Sequence, residues 1–443
     1  MQFNSIDFLF YFLPIFLMVY YILPDRLRNF VLIIGSLAFY AQAGSNKPLI
    51  MGLLIGSTLV TFFIAWLLEK VRSGWLLAFS LCAMAGVLMF FKLYNEGRLL
   101  PAGLSFYLFQ LAAYLICVYR QQIHADRNIL AFGAQTVMFP KLLSGPLMEP
   151  ASLQEQVKKP NISMHNIHDG LQQLILGLGL KVLLANRLGS LWAQSSVVGY
   201  ESISTPFAWM SLVAYAMQLY FDFWGYSLMA MGIGQMLGFK LPENFRDPYA
   251  SRSVGEFWRR WHASLGAWFR VNIYFPMGGS RKGNLRTVFN LLVVWAFTGI
   301  WHGIGGNYLL WAAFLVFLII NERFWLGKLL KKTYVLCHVY TVLAILLSWL
   351  PFAVGDWDQM VMYLGRLFGT AGQTLNPNDF VIWGQEYLKL LIAGVICATP
   401  LPRMVWNKIK NSFVADILMF ALFWVVVYFI VTSAQDPFMY FQY

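Results

Sequence analysis

The stretch VFNLLVVWAFTGIWHG, residues 288–303, runs from Val288 to Trp301 without a charged side chain and then presents His302, with Gly303, Gly305 and Gly306 close behind. A segment this apolar is the pattern of a helix solvated by lipid, and the glycines end it where backbone can approach a ligand closely. The helix therefore carries an imidazole to a break at membrane depth, where an ionisable group is a functional candidate by default. The plainer alternative is a histidine bonded to a loop carbonyl at a helix end.

The same apolar pattern recurs from Phe8, Phe30, Ile50, Trp75, Leu104, Leu171, Ala208, Tyr308, Val335, Tyr387 and Ile417. Of the 443 residues, 59% are hydrophobic and 12% charged, whereas an ordinary soluble domain carries roughly 25% charged residues. These features exclude a soluble enzyme. They predict an all-α polytopic membrane protein of about a dozen transmembrane helices, read as a single domain over 1–443 whose functional core covers about residues 100–325. No basic residue precedes the run Phe8 to Leu23, so it reads as an uncleaved first span, and the Lys and Arg bias of the short loops favours an exterior N-terminus.

Two stretches depart from ordinary spans. Phe139-Pro140-Lys141-Leu142-Leu143-Ser144-Gly145-Pro146 is apolar but broken by proline and glycine, which predicts a re-entrant turn buried in protein. From Val254 to Phe275, helical spacing puts Phe257, Trp258, Trp261, Leu265, Trp268 and Phe269 on one face and Glu256, Arg259, Arg260 and Arg270 on the other. This predicts one continuous amphipathic helix, interfacial or dipping into a cavity, with His262 at the edge of its aromatic face.

The formal net charge is +12, and nine basic residues against three acidic ones fall between Lys240 and Arg286. Such a cluster fits anionic lipid headgroups or a phosphate-bearing acyl donor, for which Arg246, Arg259 and Arg260 are the candidates. Nucleic acid is a poor fit, because no polar domain could hold a duplex. Asp222, in the almost uncharged run Tyr220 to Ser227, should be paired, protonated or functional; its plainest role is to pair with an arginine or hold a histidine. Asn244 and Arg246 lie in the proline-bounded loop Pro242 to Pro248 that leads to the His262 segment.

Several motifs fail on inspection. His165-Asn166-Ile167-His168-Asp169-Gly170 imitates a soluble acyltransferase motif, yet it stands just before the helix expected from Leu171, where Asp169 reads as a first-turn cap. The four cysteines form no C-x-x-C pair, and no histidine and carboxylate set has metal spacing, so neither a disulfide framework nor a metal is expected.

Trp301-His302-Gly303, the run Glu256-Phe257-Trp258-Arg259-Arg260-Trp261-His262-Ala263-Ser264-Leu265 and the run Phe221-Asp222-Phe223-Trp224-Gly225-Tyr226-Ser227 together resemble the membrane-bound O-acyltransferase family. So do Tyr274-Phe275-Pro276-Met277-Gly278-Gly279 and the terminal Asp436-Pro437-Phe438-Met439-Tyr440-Phe441; within the family, the opening Met1-Gln2-Phe3-Asn4-Ser5, the stretch Pro276-Met277-Gly278-Gly279-Ser280-Arg281-Lys282-Gly283 and the closing Pro437 to Phe441 are most similar to the bacterial alginate O-acetyltransferase subgroup. Cys117 stands where relatives usually have aspartate, so no role of that aspartate carries over.

The resemblance implies a funnel with a central tunnel, walled by spans and re-entrant helices, in a bacterial inner membrane. His302 matches the family's essential histidine and His262 its second one. By the same resemblance the donor is an acyl thioester, acetyl-CoA or an acyl carrier, used as substrate with no bound cofactor. The acceptor is a hydroxyl of an exported polysaccharide or of a partner protein, and an extracytoplasmic acetyltransferase partner is expected. Trp258, Trp261 and Trp301, with Asp222, Asn244, Arg246, Arg259 and Arg260, complete the expected substrate and donor contacts. The alternatives are D-alanyl transfer to teichoic acid and, from another class, a proton-coupled transporter, against which the absence of a clear internal repeat speaks.

Overall fold

A computed structural model describes residues 1–42, 47–94, 100–330 and 333–433, so the terminal motif 436–441 lies outside the described residues. All regular structure among them is helical. Each of the twelve expected apolar segments forms a helix. Seven helices are long and apolar enough to cross a membrane: Lys47–Val71, Gly74–Leu93, Met164–Val198, Gly306–Leu330, Tyr334–Ala353, Asp379–Cys397 and Phe413–Thr432. Asp7–Ile22 and Leu104–Tyr119 are shorter apolar helices.

The chain divides into two compact units. The first holds, among the described residues, those of Met1–Leu178, Gly225–Glu243 and 422–433. At its centre, Leu104–Tyr119 buries almost every side chain, as a helix apolar on all faces must. The 139–146 stretch is buried there, with one helical turn at Phe139–Leu142. Ser36 Oγ accepts the Phe139 N–H at 3.0 Å, and the Gln110 amide satisfies both the N–H and the carbonyl of Met148, at 3.3 and 3.1 Å. Irregular backbone is thus supplied with partners from neighbouring helices, the condition for tolerating it at membrane depth.

Glycines set a second contact in this unit. Gly170 and Gly177 on one helix meet Gly232 and Gly225 on another so closely that a Cβ at Gly232 would stand 2.4 Å from the Gly170 carbonyl oxygen. Small residues at a repeated spacing let two backbones touch, the usual way helices associate where lipid removes the hydrophobic drive. The helix here begins at Met164, not near Leu171, which corrects the reading of Asp169. Asp169 sits inside the helix, 3.5 Å from His165 and His168, and caps nothing.

The second unit holds Gly179–Trp224 and Asn244–Ala421. Asn284–His302 and Gly306–Asn321 form its central hairpin, where a Cβ on Gly299 would stand 3.0 Å from Ala312 Cβ. Asp222, 1% exposed, is paired, and it meets Lys181 at 2.6 Å, a lysine that the sequence reading did not single out. Lys181 belongs to a π-helical turn, Leu180–Ala185, and Glu322 begins another, Glu322–Leu326. A π turn rotates the side chains that follow it and is typical of functional or strained segments.

The glycine contact makes a stability prediction. Gly232→Ala should destabilise the detergent-solubilised protein by about 1–3 kcal/mol, the range for overpacking, because backbone must move. Gly86, whose Cβ would meet nothing within 4 Å, supplies the control, and Gly86→Ala should leave the unfolding midpoint unchanged. Equal midpoints for both variants would refute the close crossing.

Candidate functional site

The expected continuous helix Val254 to Phe275 is broken in two. Val254–Arg260 ends at Trp261, His262 adopts the left-handed conformation (φ 43°, ψ 49°), and Ala263–Phe269 begins again after it. The cause is the loop before it. Asn244, fully buried, accepts the Ala263 N–H through its carbonyl at 2.9 Å and the Ser264 hydroxyl through Oδ1 at 2.6 Å. Arg246 N–H donates to the Arg260 carbonyl at 3.1 Å. These bonds take the groups that a continuous helix would have paired internally.

The first of the two helices is anchored from elsewhere in the same unit. Val254 N–H and Gly255 N–H donate to the two carboxylate oxygens of Glu322 at 2.6 and 2.9 Å, while Ser253 Oγ accepts from Glu256 N–H at 3.0 Å. A carboxylate and a serine at a helix N-terminus satisfy its unpaired donors and meet the positive end of its dipole.

Both histidines come to one indole. Trp301 lies tilted at 59° against His302 with ring centroids 4.4 Å apart, and its centroid lies 6.4 Å from that of His262. His302 is half-buried, held edge to face by Trp311 and Phe352, each at 5.1 Å. Glycine after His302 is required by space, since a Cβ on Gly303 would stand 2.3 Å from the Tyr308 ring. His262 is 5% exposed and meets Phe223 edge to face at 4.7 Å. Burial pushes its imidazole down to about 3, so the ring is neutral at physiological pH.

Around His302 the wall is tryptophan. Trp258 packs on Trp295, Trp311 and Trp349 at 5.2, 5.4 and 5.8 Å, and Trp261 on Trp349 at 5.1 Å. The structure therefore gathers His262, His302, Asn244, Trp258, Trp261 and Trp301 in one place. Asp222 is tied to Lys181 beside it, through the neighbouring Phe223. Of the three arginines, Arg260 donates to Glu256 at 2.6 Å and to the Asp247 carbonyl at 3.3 Å, while Arg246 and Arg259 are exposed.

Trp311, Trp349, Phe352 and Glu322 belong to the site and were not singled out from the sequence. Their signal was hidden: a tryptophan or phenylalanine in an apolar run reads equally as core or as membrane-interface anchor, and the partners of Glu322 lie 67 and 68 residues away. Among the described residues no group of histidine, cysteine, aspartate and glutamate could hold a metal ion. An imidazole in its neutral form, held among nonpolar rings, can accept a proton from a hydroxyl and orient an attacking group.

A model of the membrane-bound O-acyltransferase family matches residues 60–358. A probable alginate O-acetylase of Pseudomonas putida is 33% identical over 426 residues, covering 90% of this chain and 87% of that one. A peptidoglycan O-acetyltransferase of Helicobacter pylori is 29% identical over 84% of this chain and 81% of its own. A teichoic acid D-alanyltransferase of Streptococcus thermophilus is 28% identical over 52% of this chain and 58% of its own.

Neutral burial of His262 fixes the sign of a pH effect. An unfolded imidazole takes up a proton near 6.5, whereas the folded one resists until about 3, so the unfolded state binds the extra proton between these values. Stability is full above 6.5 and falls as the pH drops through that window. His262→Asn removes the effect; lowering the pH from about 7.5 to about 5 should therefore cost the wild type more in thermal stability than the variant. A difference that does not change with pH would show that the ring is not held neutral.

Proposed function

Because the chain belongs to the membrane-bound O-acyltransferase family it is an acyltransferase, and we propose that it is an O-acetyltransferase that moves acetyl from a cytoplasmic thioester to a hydroxyl of an exported polysaccharide or of a partner protein. The observation that carries this reading is the meeting of His262 and His302 at the ring of Trp301, inside a tryptophan cage at the end of an apolar helix. In this reading the chain works as one catalytic domain in a bacterial inner membrane. About a dozen spans enclose the passage through which donor and acceptor meet.

His302 takes the proton as the acceptor oxygen attacks the thioester carbonyl carbon. The new C–O bond forms, the C–S bond breaks, and the imidazolium returns its proton to the departing thiolate. Water would compete as acceptor, and the cage of indole rings limits its access. His262, neutral and fixed by its left-handed backbone, positions the acceptor or the thioester. Arg246 and Arg259, exposed near the His262 break, are placed to meet phosphates of a coenzyme or carrier donor, with Arg260 holding the loop behind them. Orientation within the cage supplies much of the rate, since thioester to ester exchange is nearly balanced in energy.

Acetyl transfer is favoured over D-alanyl transfer by the extent of the relatives. The alginate and peptidoglycan O-acetylating enzymes match 90% and 84% of the chain, while the D-alanyltransferase matches 52%. An extracytoplasmic acetyltransferase that receives the acetyl group is the partner this reading proposes.

Purified protein in lipid vesicles, given an acetyl thioester and a glycan acceptor, should release free thiol and form acetyl ester. His302→Ala should lower that rate by ~10² to 10⁴, the range for losing a positioned acid or base, with expression unchanged. An unimpaired variant would remove His302 from the mechanism. Arg259→Glu should weaken the use of a phosphate-bearing donor more than that of a short thioester lacking phosphate; equal loss with both would return the arginine to lipid contact. Exported glycans from cells lacking the protein should lose acetyl esters, and loss of D-alanyl esters instead would reverse the assignment of the acyl group.

A further inference from the structure

The cage holds two hydrogen-bond donors that the mechanism above does not use. Two other indole N–H groups in this unit have acceptors: Trp349 donates to the Tyr249 hydroxyl at 3.3 Å and Trp209 to the Leu367 carbonyl at 3.0 Å. The N–H groups of Trp258 and Trp311 are shielded from solvent and find no acceptor among the described residues. Trp311 is 1% exposed, and its ring stands edge to face with that of His302 at 5.1 Å. Trp258 lies 5.4 Å from Trp311, centroid to centroid, at 79°. Two buried donors without acceptors, on two different helices whose indole rings pack on each other, one of them against the His302 ring, cost stability that a folded protein does not normally give up.

We propose that the Trp258 and Trp311 indole N–H groups receive the carbonyl oxygen of the acyl thioester and stabilise it as it becomes an oxyanion. The assignment rests on the acyl-transfer reading and deepens it. When the acceptor oxygen bonds to the carbonyl carbon, the C=O electron pair moves onto oxygen; when the carbonyl re-forms, the C–S pair leaves with sulfur. Negative charge therefore appears on that oxygen only in passing. An indole N–H donates but cannot accept and does not titrate, so it favours the oxyanion without competing with His302 for the proton. Donors already aimed, in a site of low dielectric, lose little to reorganisation when the charge develops. Ring packing holds both indoles in place: Trp258 stands edge to face with Trp295 at 85°, and Trp311 is tilted at 59° against Phe352.

The choice of residue types is also consistent with the surroundings. A cationic donor in the same place would need a counter-ion, whereas a neutral one can sit among phenyl and indole rings. Trp258 lies on the helix anchored by Glu322, and Trp311 on the helix that follows the Gly303 turn, so the elements that place the imidazoles also place these donors.

The test replaces the N–H while keeping the ring. In vesicles, Trp311→Phe and Trp258→Phe should each lower the turnover number for acetyl transfer by ~10² to 10³, the range for losing one oxyanion donor, with little change in KM for the thioester. The thermal midpoint should not fall in proportion. Benzothienylalanine at 311, which has the shape of tryptophan without the N–H, should reproduce the loss and separates it from a packing defect. The infrared carbonyl band of bound acetyl thioester should lie at higher frequency in the variants than in the wild type. Wild-type turnover and an unshifted band in the variants would overturn the proposal, and would mean that the N–H groups rest on neighbouring ring faces. A wild-type protein that never consumes thioester would instead overturn the acyl-transfer reading beneath it.

Discussion

The placement of the histidine pair depends on one break in a helix. A non-glycine residue in the left-handed region costs about 1–2 kcal/mol, and His262 occupies it because neighbouring groups over-determine the turn. Asn244 takes the Ala263 N–H and the Ser264 hydroxyl, Arg246 takes the Arg260 carbonyl, and Glu322 holds the start of the preceding helix. Remove the break and helical spacing would carry His262 round with the amphipathic face, away from Phe223 and Trp301. The turn thus converts a loop of ordinary polar residues into a fixed direction for an imidazole.

Buried charge is managed by the same economy of local geometry. Lys181 meets Asp222 from a π turn, and Glu322 reaches the 254–255 N–H groups from another. Each extra residue of a π turn shifts the register of the side chains after it, which lets a long helix keep its packing face while aiming one charged group at a partner. Arg366, 1% exposed, is satisfied differently, by the carbonyls of Tyr200, Glu201, Ala371 and Gly372. Carbonyls solvate a guanidinium without adding a second buried ion, and they pin two loops to one helix.

Much of this was legible in the sequence. Apolar length located the helices because lipid solvation leaves few alternatives, and His302 stood out because a titratable residue at the end of such a helix is expensive. The family resemblance of Trp301-His302-Gly303 and of the segment around His262 was readable for the same reason: rare residues in fixed local order. The break at His262 was not legible, since its cause is Asn244, 20 residues from Ser264, and periodicity sees only neighbours. Lys181 could not be matched to Asp222 either, because π turns leave no pattern in hydropathy. Tryptophans were seen as a composition, but which of them faced the imidazole was decided by tertiary packing.

Charge shows how a sequence feature divides once geometry is known. The basic run from Lys240 to Arg286 reads as one electrostatic patch, yet its members do different work. Arg260 is held by Glu256 and the Asp247 carbonyl, Arg252 lies over the Tyr334 ring at 4.3 Å, and Arg286 donates to the Met277 carbonyl at 2.9 Å. Of these three, Arg260 meets a carboxylate, whereas Arg252 and Arg286 are exposed, as are Lys240, Arg246, Arg259, Arg270, Arg281 and Lys282, so the field available to an anionic donor or lipid comes from the exposed members of the run. In the proposed mechanism, attraction and proton transfer therefore fall to different residues, the donor being gathered by long-range charge and the reaction proceeding in a site of low dielectric.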